Sequence, residues 1–188
     1  MKEIAIEGLD GSGKTTVVNN VAEQLKREGL AVQTFAPYRL ANEFAGEDIY
    51  PLWKSDNGAK MVIGIMKKIL RGVRTQALEE GSDVIVFDRH WMTAFTEIGS
   101  RPDLIHKWGE DLPPAAYLRV SPEIARGRSQ NDIDKPWMDR FVFENYAARY
   151  DSLCRDFGQF IQGIYRNDDD VLPCSIARNI VWDFNIRR

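Results

Sequence analysis

The sequence predicts an α/β fold in which a parallel sheet of five strands is covered by helices on both faces. Short apolar runs alternate along the chain with longer segments whose apolar residues recur at helical spacing. In addition, Val84 to Phe87 form a run of four consecutive apolar residues. Such a run is typical of a strand that is buried on both faces, as in the middle of a parallel sheet.

The chain begins with a predicted strand and a predicted helix. The run "EIAI" (residues 3–6) is short and apolar, which indicates a buried strand. Further along, Val17, Val21 and Leu25 share one face of a helix. Gly29 is a stop signal for that helix.

A second strand and a long helix follow. The run "AVQTF" (31–35) is predicted to be a strand that Pro37 ends, and we expect "APYR" (36–39) to form a loop. Residues 59–81 are predicted to form a helix, because their apolar residues recur at helical spacing and Gly81 marks the end.

The remaining elements continue the alternation. After the strand at Val84 we expect, in order, a strand at 115–120, a long helix at 136–161, a strand at 163–167 and a closing helix at 175–184. Segments 39–58 and 91–114 are the least periodic. In a parallel α/β fold they would lie near the carboxyl ends of the strands, where ligands bind.

Composition limits the classes of function. A chain of 188 residues predicts a single domain, 1–188. The formal net charge of −3 argues against a nucleic-acid partner, and no apolar run is long enough to span a membrane. Without a secretory signal at the start, the prediction is a cytoplasmic protein with two reduced cysteines, Cys154 and Cys174.

The segment "EGLDGSGKTT" contains a motif that binds phosphate groups. Gly8, Gly13, Lys14 and Thr15 match G-x-x-x-x-G-K-[ST] between a predicted strand and a predicted helix. Backbone amides and the helix start cradle phosphates, the lysine reaches the outer phosphates, and the threonine hydroxyl binds Mg²⁺. The motif predicts a three-layer P-loop NTPase fold that uses ATP and Mg²⁺. The predicted cofactor-binding residues are Gly8, Asp10, Gly11, Ser12, Gly13, Lys14, Thr15 and Thr16.

Two further segments predict phosphoryl transfer. Asp88 ends a buried strand, where a carboxylate is expected to hold Mg²⁺ together with Thr15. Arg89 would project from the same strand end toward an acceptor phosphate. Residues 121–139 carry Arg126, Arg128 and Lys135 and are predicted to form a short lid; a solvated loop is the alternative. The predicted catalytic residues are Lys14, Asp88 and Arg128.

Together, "EGLDGSGKTT", "ALEEGSDVIVFDRH" and "YLRVSPEIARGRS" continuing into "ENYAARYDSL" resemble the bacterial thymidylate kinases of the nucleoside monophosphate kinase group. The resemblance implies that Asp10 contacts the sugar hydroxyl of the monophosphate, Arg89 grips its phosphate and Arg128 is the lid arginine. It also implies adenine as the donor base, and a homodimer stays open because the family is commonly dimeric. The predicted substrate-binding residues are Asp10, Pro37, Tyr38, Arg71 and Arg89.

Departures from the family pattern lie on the acceptor side. The stretch after the second strand is "FAPYRL", which keeps only Pro37, and Glu97 stands where the family has a tyrosine. The predicted function is therefore ATP-dependent phosphorylation of a nucleoside monophosphate, dTMP or a related pyrimidine monophosphate. Two alternatives stay open: a deoxynucleoside kinase, and a nucleotide-binding protein with altered catalysis. The first benefits from a carboxylate at the acceptor, usually just after the second strand, where this chain has Ala36; Glu43 and Glu47 lie farther away.

Overall fold

Five parallel strands form one sheet, as the sequence predicts. The structure is a computed structural model that describes residues 1–99, 101–109, 111–129 and 140–186. The strands are β1 (Lys2–Gly8), β2 (Val32–Phe35), β3 (Val84–Asp88), β4 (Ala115–Arg119) and β5 (Ile161–Arg166). Their order across the sheet is β2-β3-β1-β4-β5, so β1 and β3 lie side by side at its centre.

Eight helices connect and cover the strands in the described part of the chain. They are α1 (Lys14–Arg27), α2 (Pro37–Ala45), α3 (Asp56–Glu79), α4 (Trp91–Ile98), α5 (Pro102–Trp108), α6 (Pro122–Ser129), α7 (Arg140–Asp156) and α8 (Pro173–Asp183). Short 3₁₀ turns cover Tyr50–Lys54 and Gly158–Phe160.

The sheet separates two apolar cores. Successive residues of a strand point to opposite faces, so Ile4 and Ile6 of β1 pack with α1 and α8, whereas Ala5 lies in the core with α3, α4 and α7. Because β1 and β3 are parallel neighbours, their carboxyl ends lie at the same edge of the sheet. The start of α1 and the start of α4 therefore lie next to each other.

The segment "APYR" is not a loop, because α2 begins at Pro37. Proline is well suited to the first turn of a helix, since its fixed φ is already helical and its missing N–H would have no partner there. Ala36, directly before it, has a non-helical backbone with φ −112° and ψ 84°. The proline thus ends β2 and begins a helix at once, and it turns Tyr38 toward the strand ends.

The weakly periodic segment 91–114 contains two helices, α4 and α5. All residues of α4 except Glu97 are buried, so the helix has no polar face and therefore no amphipathic period in its sequence. The predicted helix 136–161 is also corrected: α7 ends at Asp156, and β5 begins at Ile161. Residues 136–139 lie outside the described ranges.

The predicted lid is described only in its first part. Helix α6 covers Pro122–Ser129 and carries Arg126 and Arg128, whereas the rest of the lid, with Lys135, lies outside the described residues. Both cysteines are free thiols. Among the residues described, no helix is both long enough and apolar enough to cross a membrane.

Candidate functional site

The turn between β1 and α1 has the backbone of a phosphate cradle. Gly13 has φ +80° and Gly8 has φ +152°, which are conformations that residues with a side chain rarely adopt. A Cβ on Gly8 would lie 2.6 Å from the carbonyl oxygen of Leu118, and one on Gly13 would lie 2.5 Å from Nδ2 of Asn167. The two motif glycines are therefore required both by conformation and by space.

The start of α1 presents positive charge to this turn. The residue before the helix is Gly13, which has no side chain to cap the first amides, and the first turn contains no acidic residue. Lys14 is almost fully buried, and its Nζ donates a hydrogen bond to the carbonyl oxygen of Leu9 at 2.5 Å. The lysine is thus folded back over the turn, where an anion at the helix start would meet it.

Thr15 and Asp88 bring two oxygen atoms together beside the cradle. The Thr15 hydroxyl donates to Oδ2 of Asp88 at 2.7 Å, although the residues are 73 positions apart in sequence. A hydroxyl and a carboxylate fit the oxygen preference of Mg²⁺, which usually keeps several waters and phosphate oxygens as its other ligands. Among the described residues, no group of three or more His, Cys, Asp or Glu side chains is suited to hold a metal ion.

Arg89 follows Asp88 and faces the same space. Its Nη2 donates to Oδ1 of Asp10 in the cradle, and the side chains of this ion pair are only 19% and 23% exposed. The backbone of Arg89 has φ +72°, an uncommon value for a residue other than glycine. The amide of Arg89 donates to the carbonyl oxygen of Ile6 at 3.0 Å, so β1 holds the backbone of this turn in place.

These groups line one open cavity of about 460 Å³. It brings together most of the predicted site residues: Asp10, Gly11, Gly13, Lys14, Thr15, Thr16, Tyr38, Asp88, Arg89 and Arg128. Other residues of its lining were not predicted: Ala36, Arg39, Asn42, Tyr50 and Ser129. The cavity therefore has a cradle end, formed by residues 10–16, and a second end formed by α2 and the turn after β3.

Aromatic and amide groups shape the second end. Tyr38 is buried, its hydroxyl donates to the carbonyl oxygen of His90 at 3.1 Å, and its ring stacks on Tyr50 with the ring centroids 5.7 Å apart. Burial raises the pKa of Tyr38 well above 10, so the phenol is neutral. Asn42, which also lines the cavity, accepts a hydrogen bond from the amide of Ile49 at 3.1 Å. The stacked rings of Tyr38 and Tyr50 thus border the cavity.

Four predicted site residues lie outside the cavity lining. Gly8 and Ser12 are buried within the cradle turn, and Pro37 is buried at the start of α2. Arg71 is exposed on α3. The neighbouring Arg74, one turn closer to the end of α3, is held by Glu3 at 2.6 Å and Asp111 at 2.6 Å.

Arg128 lines the cavity but is tied to the loop after β5. Its Nη1 donates to the carbonyl oxygen of Asn167 at 2.9 Å, and its Nη2 donates to Asp169 at 2.7 Å. Asn167 was not predicted, although it is buried and its Nδ2 donates to the carbonyl oxygen of Ser12 at 2.6 Å. The asparagine therefore joins the cradle to the lid arginine. A polar residue at the end of a predicted strand was the only sequence signal for it.

Two ionisable side chains close to the turn at Arg89, Glu7 and His90, are fully buried. Burial raises the pKa of Glu7 to about 7, while hydrogen bonds from Thr93 and from the amides of Met92 and His90, together with the charge of Arg89, act in the opposite direction.

Burial lowers the pKa of His90 to about 3, so its ring is neutral. Among the described residues neither ring nitrogen has a hydrogen-bond partner, and the ring packs on Phe87 and Trp108.

Comparison with known proteins supports the fold. No family model matches the chain. One similar solved structure is the shikimate kinase from Acinetobacter baumannii in complex with shikimate, with a TM-score of 0.60 and 13% sequence identity. The match covers 98% of this chain and 93% of that chain. The likeness shows a P-loop kinase fold, and at this identity it shows the fold alone.

Proposed function

We propose that the protein is an ATP-dependent phosphotransferase that phosphorylates a nucleoside monophosphate to the diphosphate. A pyrimidine monophosphate such as dTMP is the expected acceptor. The observation that carries the proposal is the single cavity in which the cradle, the Thr15–Asp88 pair and Arg89 meet. A donor triphosphate on the cradle and an acceptor phosphate at Arg89 would then lie side by side.

The residues of the cavity suit a reaction that depends on position and charge. Lys14 and the first amides of α1 would bind the β- and γ-phosphates of ATP, and Thr15 and Asp88 would hold Mg²⁺. Mg²⁺ supplies neutralisation of the phosphate charge. Arg89 would turn its guanidinium from Asp10 to the acceptor phosphate, since a planar fork of donors matches phosphate oxygens.

The carboxylates of the cavity favour an acceptor that needs no general base. Among the described residues that line it, only Asp10 and Asp88 are acidic, and in this structure they are bonded to Arg89 and Thr15. The position directly after β2 is Ala36. A hydroxyl acceptor must lose a proton during transfer, whereas a monophosphate already carries the negative charge that attacks. This is the reason to prefer a monophosphate kinase to a deoxynucleoside kinase.

A kinase of a hydroxyl acceptor is the second candidate. The observation in its favour is that Asp10 touches Arg89 at the cavity, so binding of an anionic acceptor by Arg89 would release a carboxylate beside it. The similar shikimate kinase was solved with shikimate. A nucleotide-binding protein with altered catalysis is the third candidate, and intact Lys14, Thr15 and Asp88 argue against it.

The test is an acceptor panel with Mg²⁺ and ATP. Deoxynucleoside and nucleoside monophosphates form the first set, and the corresponding nucleosides and shikimate form the second set. We expect acceptor-dependent formation of ADP with one or more pyrimidine monophosphates, and none with the Lys14→Ala variant. Turnover confined to the second set would overturn the monophosphate assignment. ATP binding without turnover in either set would favour the third candidate.

The expected partners are small nucleotides rather than a nucleic acid. Association into a homodimer is a further part of the proposal, and sedimentation at several protein concentrations measures it directly.

A further inference from the structure

Glu7 is a fully buried acidic residue at the centre of the sheet. It lies in β1 directly before Gly8, and none of its surface is exposed. Its side chain is on the same face of β1 as Ala5, and therefore points toward α4. A charged side chain is almost never fully buried without partners, because the loss of hydration is costly.

Four hydrogen bonds from one short segment satisfy this carboxylate. Oε1 accepts from the amides of His90 and Met92, each at 2.9 Å. Oε2 accepts from the amide of Thr93 at 3.2 Å and from its hydroxyl at 2.8 Å. The Thr93 hydroxyl also lies 2.9 Å from that of Tyr150 on α7. Glu7 thus holds the beginning of α4 to β1.

Arg89 lies between two points at which β1 holds the chain. Its amide is bonded to the carbonyl oxygen of Ile6, and the residues after it are bonded to Glu7. Between these points the backbone of Arg89 has φ +72°. A non-glycine residue in this region carries strain and keeps the conformation only when its surroundings impose it. If Glu7 released the start of α4, the turn could relax and the guanidinium would move.

We propose that Glu7 is a positioning residue that keeps the Arg89 turn in the conformation that aims the guanidinium into the cavity. This inference rests on the proposed function, because it takes Arg89 as the residue that binds the acceptor phosphate. Glu7 itself does not line the cavity, so it acts through the backbone of residues 89–93. Because Glu7 directly precedes Gly8, it also connects the Arg89 turn to the cradle through β1.

The variant Glu7→Gln tests the charge with little change in volume. A glutamine keeps one oxygen, which can still accept from the amides of His90 and Met92. Its amide nitrogen would instead face the amide of Thr93, and two donors cannot bond each other. Thr96→Val is the matched control, because Thr96 is buried on α4 and its hydroxyl bonds Thr93 rather than Glu7.

Kinetics separate positioning from a purely structural role. For Glu7→Gln with the best acceptor of the panel, we expect the acceptor KM to rise about tenfold while the ATP KM stays within about twofold. Thr96→Val should leave both KM values within about twofold. A purely structural role would lower the active fraction and reduce kcat alone. That result in Glu7→Gln would overturn the proposal.

Amide hydrogen exchange tests the proposal even if no acceptor is turned over. The informative probe is the Arg89 amide, which bonds Ile6 and not Glu7. In Glu7→Gln its exchange should accelerate about tenfold relative to amides in the middle of β3, with no such change in Thr96→Val. Equal acceleration throughout β3, or no acceleration at Arg89, would refute the role of Glu7. An inactive panel with selective acceleration at Arg89 would refute the proposed function alone.

Discussion

The two ends of the cavity are built in different ways. The cradle end comes from one continuous segment, residues 10–16, whose shape depends on glycines and on the start of one helix. The second end, which we propose binds the acceptor and which we call the acceptor end, combines Tyr38 and Asn42 of α2, Tyr50 of a 3₁₀ turn and Arg89 after β3. These residues are far apart in sequence, and they meet only because parallel strands end at the same edge of the sheet.

The difference shows which functions can vary independently. Phosphate groups are the same in every nucleotide, so a local backbone structure is sufficient to bind them. An acceptor differs in base and sugar, and the side chains that we propose contact it lie on elements that can change without disturbing the cradle. We therefore expect substitutions at the cradle end to abolish catalysis with every acceptor. Substitutions at the acceptor end should change acceptor use and spare ATP binding.

The largest effect is expected for Lys14→Ala. Removing the ammonium group takes away charge stabilisation of the transferring phosphoryl, so kcat should fall at least about 100-fold with every acceptor. Steady-state formation of ADP measures this change. Lys26→Ala, an exposed lysine in the last turn of the same helix, is the control and should retain activity. Unchanged turnover in Lys14→Ala would remove the lysine from the mechanism.

At the acceptor end, Arg89→Ala should raise the acceptor KM about 30-fold and leave the ATP KM within about threefold. The reason is the loss of a bidentate contact to the acceptor phosphate. Initial rates over a grid of both substrate concentrations give the two KM values. Arg27→Ala, on the exposed surface of α1, is the control. Equal increases in both KM values would mean that Arg89 does not act specifically on binding of the acceptor.

Asp88 lies at the boundary between the ends, and its predicted effect is on the metal. Asp88→Asn removes the negative charge beside Thr15, so the Mg²⁺ concentration for half-maximal activity should rise about tenfold. Titration of activity with Mg²⁺ at a fixed ATP concentration measures it. Asp103→Asn, exposed on α5, is the control. The same midpoint in both variants would exclude Asp88 as a Mg²⁺ ligand.

The smallest effect is expected for Arg39→Ala. Arg39 lines the acceptor end, but its side chain is 75% exposed and pairs loosely with Glu43 at 3.8 Å. Solvent screens such a charge, so the acceptor KM should rise only about threefold, with greater loss at low salt. Acceptor KM values at two ionic strengths measure this. A larger effect than in Arg89→Ala would reverse the assigned roles of the two arginines.

The sequence predicts the cradle end well because its signals are local. Gly8, Gly13, Lys14 and Thr15 identify it without knowledge of the rest of the fold, and the apolar runs identify all five strands. Asp88 and Arg89 could be placed at the same edge of the sheet as well, since Asp88 ends a buried strand and Arg89 directly follows it. The proposed role of each of these residues depends on its position relative to the end of a strand. The end of a strand can be read from the sequence pattern.

The acceptor end is predicted poorly because its contacts depend on tertiary packing. Pro37 starts a helix instead of a loop, and this helix brings Asn42 toward the cavity while Arg71 stays exposed on α3. Glu7 had a detectable signal, since a charged residue inside an apolar strand requires buried partners. Its partners on α4 could not be predicted, because that helix is buried on nearly all sides and has no amphipathic pattern.

The central claim is that one cavity binds a donor triphosphate and an acceptor phosphate next to each other. Calorimetric titration with a bisubstrate analogue, in which adenosine and the acceptor nucleoside are joined by five phosphates, tests it most directly. We expect one bound molecule per chain and an affinity at least about 100-fold higher than that of ADP or the monophosphate alone. Binding no tighter than ADP, or simultaneous binding of the analogue and the monophosphate, would contradict it.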